Sequence, residues 1–294
     1  MANNTFFEIH NAYFLGNYQQ CIQAAENLKC KDDEEKAERD SFMYRSFIAQ
    51  GKHALVLSEI PQTTTNLTLK CLRRLAEYYN KPSEHATLMA KLDSEIKSAD
   101  VSNENYCFLT SLIYINENDY ENALRLLNNC SSMEGYATTI FVLLKIDRVD
   151  LAMKQLKILQ EIDEDVTITQ LALAWVNAAV GKEKLKDAFY IYQELMDKYG
   201  ETVQLLVSQA SCLIQQERYE EASTILVNAQ QKDSDNAEVI INLLMLDSKL
   251  SGKANEKRGR LISQMKQFHA GHPWTIAYTA KETLFDRLCS ESNA

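Results

Sequence analysis

The chain has 294 residues, with 31 Lys plus Arg against 41 Asp plus Glu and a net charge of −10. That balance repels phosphate backbones and disfavours nucleic acid as a partner, while 46% hydrophobic content is too high for a chain disordered throughout. Only 8 Gly and 3 Pro occur; all-β and α/β folds spend more of both on turns and crossovers, so the composition favours helices.

In chain order the pattern predicts helix pairs. The first covers about 4–30 and turns at Leu15-Gly16-Asn17-Tyr18. The charge run over residues 29–40 reads as a solvated turn and the acidic start of a helix, where carboxylates suit the dipole. A second pair, about 36–60, turns at Gln50-Gly51-Lys52-His53 and closes at Ile60-Pro61, since the residue before a proline leaves the helical region. The third, 67–98, turns at Asn80-Lys81-Pro82-Ser83; the fourth, 103–130, at Asn118-Asp119-Tyr120; the fifth, 135–162, at Asp147-Arg148; the sixth, 167–199, at residues 181–184. The seventh, within 203–237, is the clearest. Leu206, Gln209, Ala210 and Leu213 share one helical face, Gln216-Glu217-Arg218 breaks the pattern, and Ala222, Ile225, Leu226 and Ala229 share the next face. An eighth pair, 237–269, turns near Ser251-Gly252-Lys253, and a last helix over 276–289 is expected to cap the end.

A small residue recurs in the second helix of each pair: Cys21, Val56, Ala86, Ala123, Ala152, Ala188 and Ala222, at intervals of 29 to 37 residues with a mean of 33.5. Two helices cross closely there, so a bulky side chain would push them apart. Three residues earlier stand Tyr18, His53, Ser83, Tyr120, Val149, Leu185 and Tyr219, of which three are the aromatic wedge such a turn prefers. The period is that of the tetratricopeptide repeat. The expected fold is therefore all-α: an α-solenoid of tetratricopeptide-like hairpins forming a curved superhelix, a single domain over 1–294 of about eight pairs and a capping helix. Such hairpins cannot bury both faces alone and need stacked copies.

Chemistry is harder to find. No phosphate-loop glycine spacing, H-E-x-x-H, C-x-x-C or G-x-S-x-G occurs. His269 and His272 lack a companion ligand, and Asp233-Ser234-Asp235 falls where a turn is needed. The reading is non-enzymatic, with no cofactor and no metal. Arg73-Arg74 and residues 257–260 read as solvated helix faces. The seven cysteines show no pairing pattern, and Cys21, Cys107, Cys130 and Cys212 sit among apolar helix positions as small hydrophobes. The N-terminus lacks the basic flank and apolar core of a signal peptide, and the longest apolar runs are too short for a bilayer, which points to a cytoplasmic chain. Trp175 reads as core, and Trp274 as sealing the final unit or facing a partner.

Several stretches are similar to the coatomer epsilon subunit family. They are residues 11–22 (NAYFLGNYQQCI), Glu38-Arg39-Asp40 with Tyr44-Arg45 and Ile48-Ala49, residues 143–195, within which 163–172 (DEDVTITQLA) is the most specific, and Ala280-Lys281-Glu282 with residues 285–288. The resemblance spans essentially the whole chain and thins over 61–100 and 251–260. It implies a non-catalytic subunit of the vesicle coat that acts on Golgi membranes and returns cargo toward the endoplasmic reticulum. It further implies a partner, the C-terminal domain of the coatomer alpha subunit, gripped and stabilised by the curled repeats. Other coatomer subunits are met through the assembled coat, and membrane only indirectly through it.

In a solenoid the first helices line the concave face. Mapping the repeat frame gives Phe47, Phe108, Leu112, Ile115, Phe141, Leu144, Val207 and Ile214 as candidate partner-binding residues; each also reads as inter-repeat core. Tyr78 and Tyr79 join them because aromatics are favoured at interfaces. The alternative is a generic tetratricopeptide adaptor or co-chaperone holding an acidic peptide. That needs clustered cations along the groove, and Arg45, Lys70 and Lys145 are found without the cluster.

Overall fold

A computed structural model describes residues 3–98, 103–250 and 256–292. Among them are seventeen α-helices and no strand, in two compact units, Met1–Val180 and Gly181–Ala294. The first unit holds α1 (Asn3–Phe14), α2 (Tyr18–Asn27), α3 (Asp33–Ala49), α4 (His53–Glu59), α5 (Leu67–Asn80), α6 (His85–Ser98), α7 (Glu104–Asn116), α8 (Tyr120–Leu127), α9 (Met133–Lys145), α10 (Val149–Ile162) and α11 (Thr167–Val180). The second holds α12 (Lys184–Tyr199), α13 (Val203–Gln215), α14 (Tyr219–Lys232), α15 (Ala237–Leu250), α16 (Glu256–Phe268) and α17 (Pro273–Ser292). The turn predicted at 251–253 lies outside the described residues.

Helix starts are set by caps. Asp32, Asn66, Asn103, Asp119, Ser132 and Thr202 each accept from the backbone N–H three residues on, a contact whose loss costs about 1 kcal/mol. The charge run supplies one of these caps and places Asp33, Glu34 and Glu35 in the first turn of α3, as expected from the dipole.

One turn recurs between the helices of a pair. Gly16, Gly51, Asn118, Asp147 and Glu217 hold positive φ, between 59° and 79°. The next residue's N–H reaches back five residues: Asn17 to the Ala12 carbonyl, Lys52 to Phe47, Asp119 to Tyr114, Arg148 to Leu143 and Arg218 to Leu213, all at 2.8–2.9 Å. This is the Schellman closure of a helix. It starts the second helix two residues after the left-handed residue and puts the small anchor three residues further on. Cys21, Val56, Ala123, Ala152 and Ala222 are accordingly all fully buried, and Ala188 is too, although the turn before α12 differs, with Gly181 and Lys182 both at positive φ.

Ala86 breaks the rule. It is exposed, against the sequence expectation. The residue that would donate the five-back bond there is Pro82, which has no N–H. The chain instead makes a 3₁₀ turn over Pro82–Glu84, α6 starts late, and Leu92 becomes its fully buried residue. Arg73 and Arg74 also differ from the expected solvated face. Arg73 donates to the carbonyls of Leu57 (2.7 Å) and Ile60, at the C-terminus of α4, and Arg74 pairs with Glu95 at 2.8 Å.

Candidate functional site

In the first unit the first helices of successive pairs, α1, α3, α5, α7, α9 and α11, surround a lumen. α1 packs on α3, α3 on α5, α5 on α7, and α9 on α11. α7 and α9 are joined through α8 and by Glu104, whose carboxylate accepts from the Ser132 N–H (2.6 Å) and the Ser131 hydroxyl (3.1 Å). These hydrogen bonds outweigh partial burial and hold the Glu104 pKa below its ordinary value. Finally α11 packs against α1. There the buried Thr167 hydroxyl donates to Asn11 Oδ1 at 2.6 Å, so the ring closes on itself within this unit.

The lumen has two chambers. One, of about 940 Å³, is lined by the N-terminal halves of these helices, including Phe7, Glu34, Glu38, Phe42, Asn105 and Met133. The other, of about 500 Å³, is lined by the C-terminal halves, including Tyr13, Leu75, Tyr79, Leu112, Phe141 and Trp175. Phe14, Arg45, Phe108, Glu134 and Ile168 line both and form the waist between them. The first chamber carries carboxylates at its mouth; the second is mainly aromatic and aliphatic.

Arg45 sits at that waist and is only 6% exposed. It binds the Glu134 carboxylate with both terminal nitrogens, across 89 residues of sequence. Its guanidinium carbon lies 4.4 Å from the Tyr13 ring centroid, 4.9 Å from Phe42 and 5.1 Å from Phe108. Burial opposes its charge, but the Glu134 carboxylate and the Tyr13 hydroxyl more than compensate and raise its pKa. Burial raises the Tyr13 pKa as well.

Of the sequence candidates, Tyr79, Phe108, Leu112, Ile115 and Phe141 line the lumen. Phe47 and Leu144 are half-buried against the hydrophobic core beside it. Tyr78 faces away: it is buried, donates to Glu117 at 2.6 Å and stacks on His85. Val207 and Ile214 belong to the second unit, half-buried and buried on α13. Lys70 is exposed, and the Lys145 ammonium lies over the Phe141 ring at 5.3 Å. The sequence reading missed Tyr13, Phe14, Glu134 and Ile168; Trp175, read as core, packs against the core that includes Ile168, Ala172 and Val176 and also lines the lumen. Arg45, noted like Lys70 and Lys145 as a cation on a first helix, is the one of those cations buried in the lumen wall.

Elsewhere the chain offers little reactive chemistry. All seven cysteines are free. Burial pushes Cys71 up to about 11, Cys130 to about 12 and Cys212 to about 11, so these thiols stay protonated at neutral pH. Among the described residues no His, Cys, Asp and Glu converge as a metal site, and no helix is long and apolar enough to cross a membrane.

Repeated hairpins with a shared turn, and first helices around a lumen, define a tetratricopeptide-like repeat protein. A crystal structure of the APC/C hetero-tetramer Cut9-Hcn1 shares this fold, with a TM-score of 0.60 at 10% identity over 90% of this chain and 52% of that one. The family model of the coatomer epsilon subunit matches residues 2–293. The coatomer epsilon subunit of Caenorhabditis elegans is 38% identical over 98% of both chains, and that of Dictyostelium discoideum 37% identical over the full length of both. An Arabidopsis thaliana epsilon subunit is 32% identical over 96% of this chain and 94% of its own. The chain belongs to the coatomer epsilon subunit family and is a component of coatomer.

Proposed function

We propose that this chain is the non-catalytic coatomer subunit that grips and stabilises the C-terminal domain of the alpha subunit. It then serves retrograde transport from the Golgi to the endoplasmic reticulum and within the Golgi. It works on the cytosolic side of Golgi membranes and coated vesicles, reaching membrane only through the assembled coat. The observation that carries this reading is the closed lumen of the first unit. Helices α1, α7, α9 and α11 line this hollow with Phe14, Phe108, Leu112, Ile115, Phe141 and Trp175. An apolar hollow of this size is what a bound polypeptide segment would fill. Membership of the family supplies the coat, and the lumen supplies the seat.

The test is to mix the purified chain with the C-terminal domain of the alpha subunit and run gel filtration. Co-elution at micromolar concentration is expected, and Phe141→Glu together with Leu112→Glu should abolish it while leaving the helical circular dichroism intact. Separate elution of the wild-type proteins would refute the reading.

A further inference from the structure

The waist of the lumen is spanned by one ion pair. α3 and α9 lie three places apart in either direction round the ring of six first helices, so Arg45 and Glu134 join opposite walls. Both residues line both chambers. A segment that fills the two chambers must therefore pass between them.

The two partners differ in what parting would do to them. Arg45 is buried among three aromatic rings. Without an anion its charge would be left uncompensated on a guanidinium that is almost wholly buried, which is strongly unfavourable. The Glu134 side chain is 20% exposed and lies in the first turn of α9, where the helix dipole favours a carboxylate. Glu134 can therefore be released toward the mouth, and Arg45 cannot be left alone. Arg45 also has capacity to spare: its Nε is buried with no acceptor among the described residues. A guanidinium fork offers five donors and takes a carboxylate in paired, directional hydrogen bonds.

We infer that the Arg45–Glu134 pair is a gate across the lumen, opened by an occupant that brings its own Asp or Glu carboxylate to Arg45. Glu134 holds the place of that group while the lumen is empty. The occupant is then a polypeptide segment with one acidic residue at the waist and apolar side chains beyond it, matching the apolar second chamber. This inference deepens the proposed function and rests on the C-terminal domain of the alpha subunit taking its seat in the lumen.

Calorimetric affinity for that domain, measured beside the melting temperature of the free chain, tests it. Glu134→Gln is expected to lower the melting temperature yet tighten binding about tenfold, because Arg45 no longer surrenders an internal carboxylate. Arg45→Met should weaken binding by tenfold or more; should that variant not fold, Arg45→Lys, which keeps the charge and loses the fork, should weaken it in its place. Replacing the acidic residues of the partner domain by their amides, one at a time, should find one whose loss cancels the gain of Glu134→Gln. If Glu134→Gln lowers both stability and affinity, or leaves affinity unchanged, the pair is a structural strut and the gate is overturned while the seat stands. If the wild-type chain does not bind the domain at all, the seat and the gate fall together.

Discussion

In the first unit the last helix, α11, returns to pack on α1, whereas in the second unit α17 leaves Leu284, Phe285 and Leu288 47–66% exposed. Both units use the same hairpin and, at Glu217 as at Asp147, the same left-handed turn. The difference lies in how each array treats its last element. Closure gives α1 and α11 of the first unit a neighbour on both sides. In the second unit the described helices before α17 stay buried to a similar degree, with seven buried residues on α13 and six on α15 among the first helices and three on α14 and two on α16 among the second, so the exposure is concentrated on α17. A hairpin stack is stabilised by its interfaces, so closing the array adds an interface without adding residues.

Each unit carries one of the two tryptophans, Trp175 and Trp274. Unfolding can therefore be followed unit by unit in single-tryptophan variants, which matters because two units need not melt as one. The largest effect is expected from Glu134→Ala, which strands the Arg45 charge; urea unfolding read at Trp175 should show a loss of about 3–5 kcal/mol, with the Trp274 transition unmoved. Next comes Asn11→Ala at the ring closure. It leaves the buried Thr167 hydroxyl without its acceptor and should cost about 1–3 kcal/mol by the same readout. Glu217→Gly works in the opposite direction on the second unit. It relieves a non-glycine residue at φ 62° and should stabilise that unit by about 1 kcal/mol, read at Trp274.

Glu104→Gln tests the seam between α7 and α9 through pH. The folded pKa of Glu104 is depressed, so its contribution is present above the unfolded value of about 4.3. It is lost as pH falls through the lower folded value. The variant should therefore be less stable than the wild type at neutral pH, with the difference shrinking in acid, as measured by thermal melts from pH 7 to 3. Smallest is Leu288→Ser on the exposed face of α17, expected within about 0.5 kcal/mol of the wild type at Trp274.

Much of the fold was legible because the repeat writes its own ruler. A small anchor in the second helix, with a wedge residue three positions before it, located the turns near Gly16, Gly51, Asn118, Asp147 and Glu217. The ruler failed at Ala86, where Pro82 removes the donor the turn requires. A proline at that offset is itself a readable warning. The lumen was half legible. Phe108, Leu112 and Ile115 follow from the face of α7 they share and Phe141 from the matching frame of α9, but Glu134 does not, since nothing local marks a partner 89 residues from Arg45. Closure was not legible either. Asn11 and Thr167 are ordinary polar residues until the curvature of the intervening helices brings them together.

The Asn11–Thr167 seam changes how the first unit can come apart. A linear stack of repeats frays inward from its free termini, so protection against exchange falls off toward both ends. A stack whose first and last helices abut has no terminus to peel. Amide exchange in α1 from Ile9 onward should then be as slow as in α7, and a protease would have to break the circle before it could unravel any part of it.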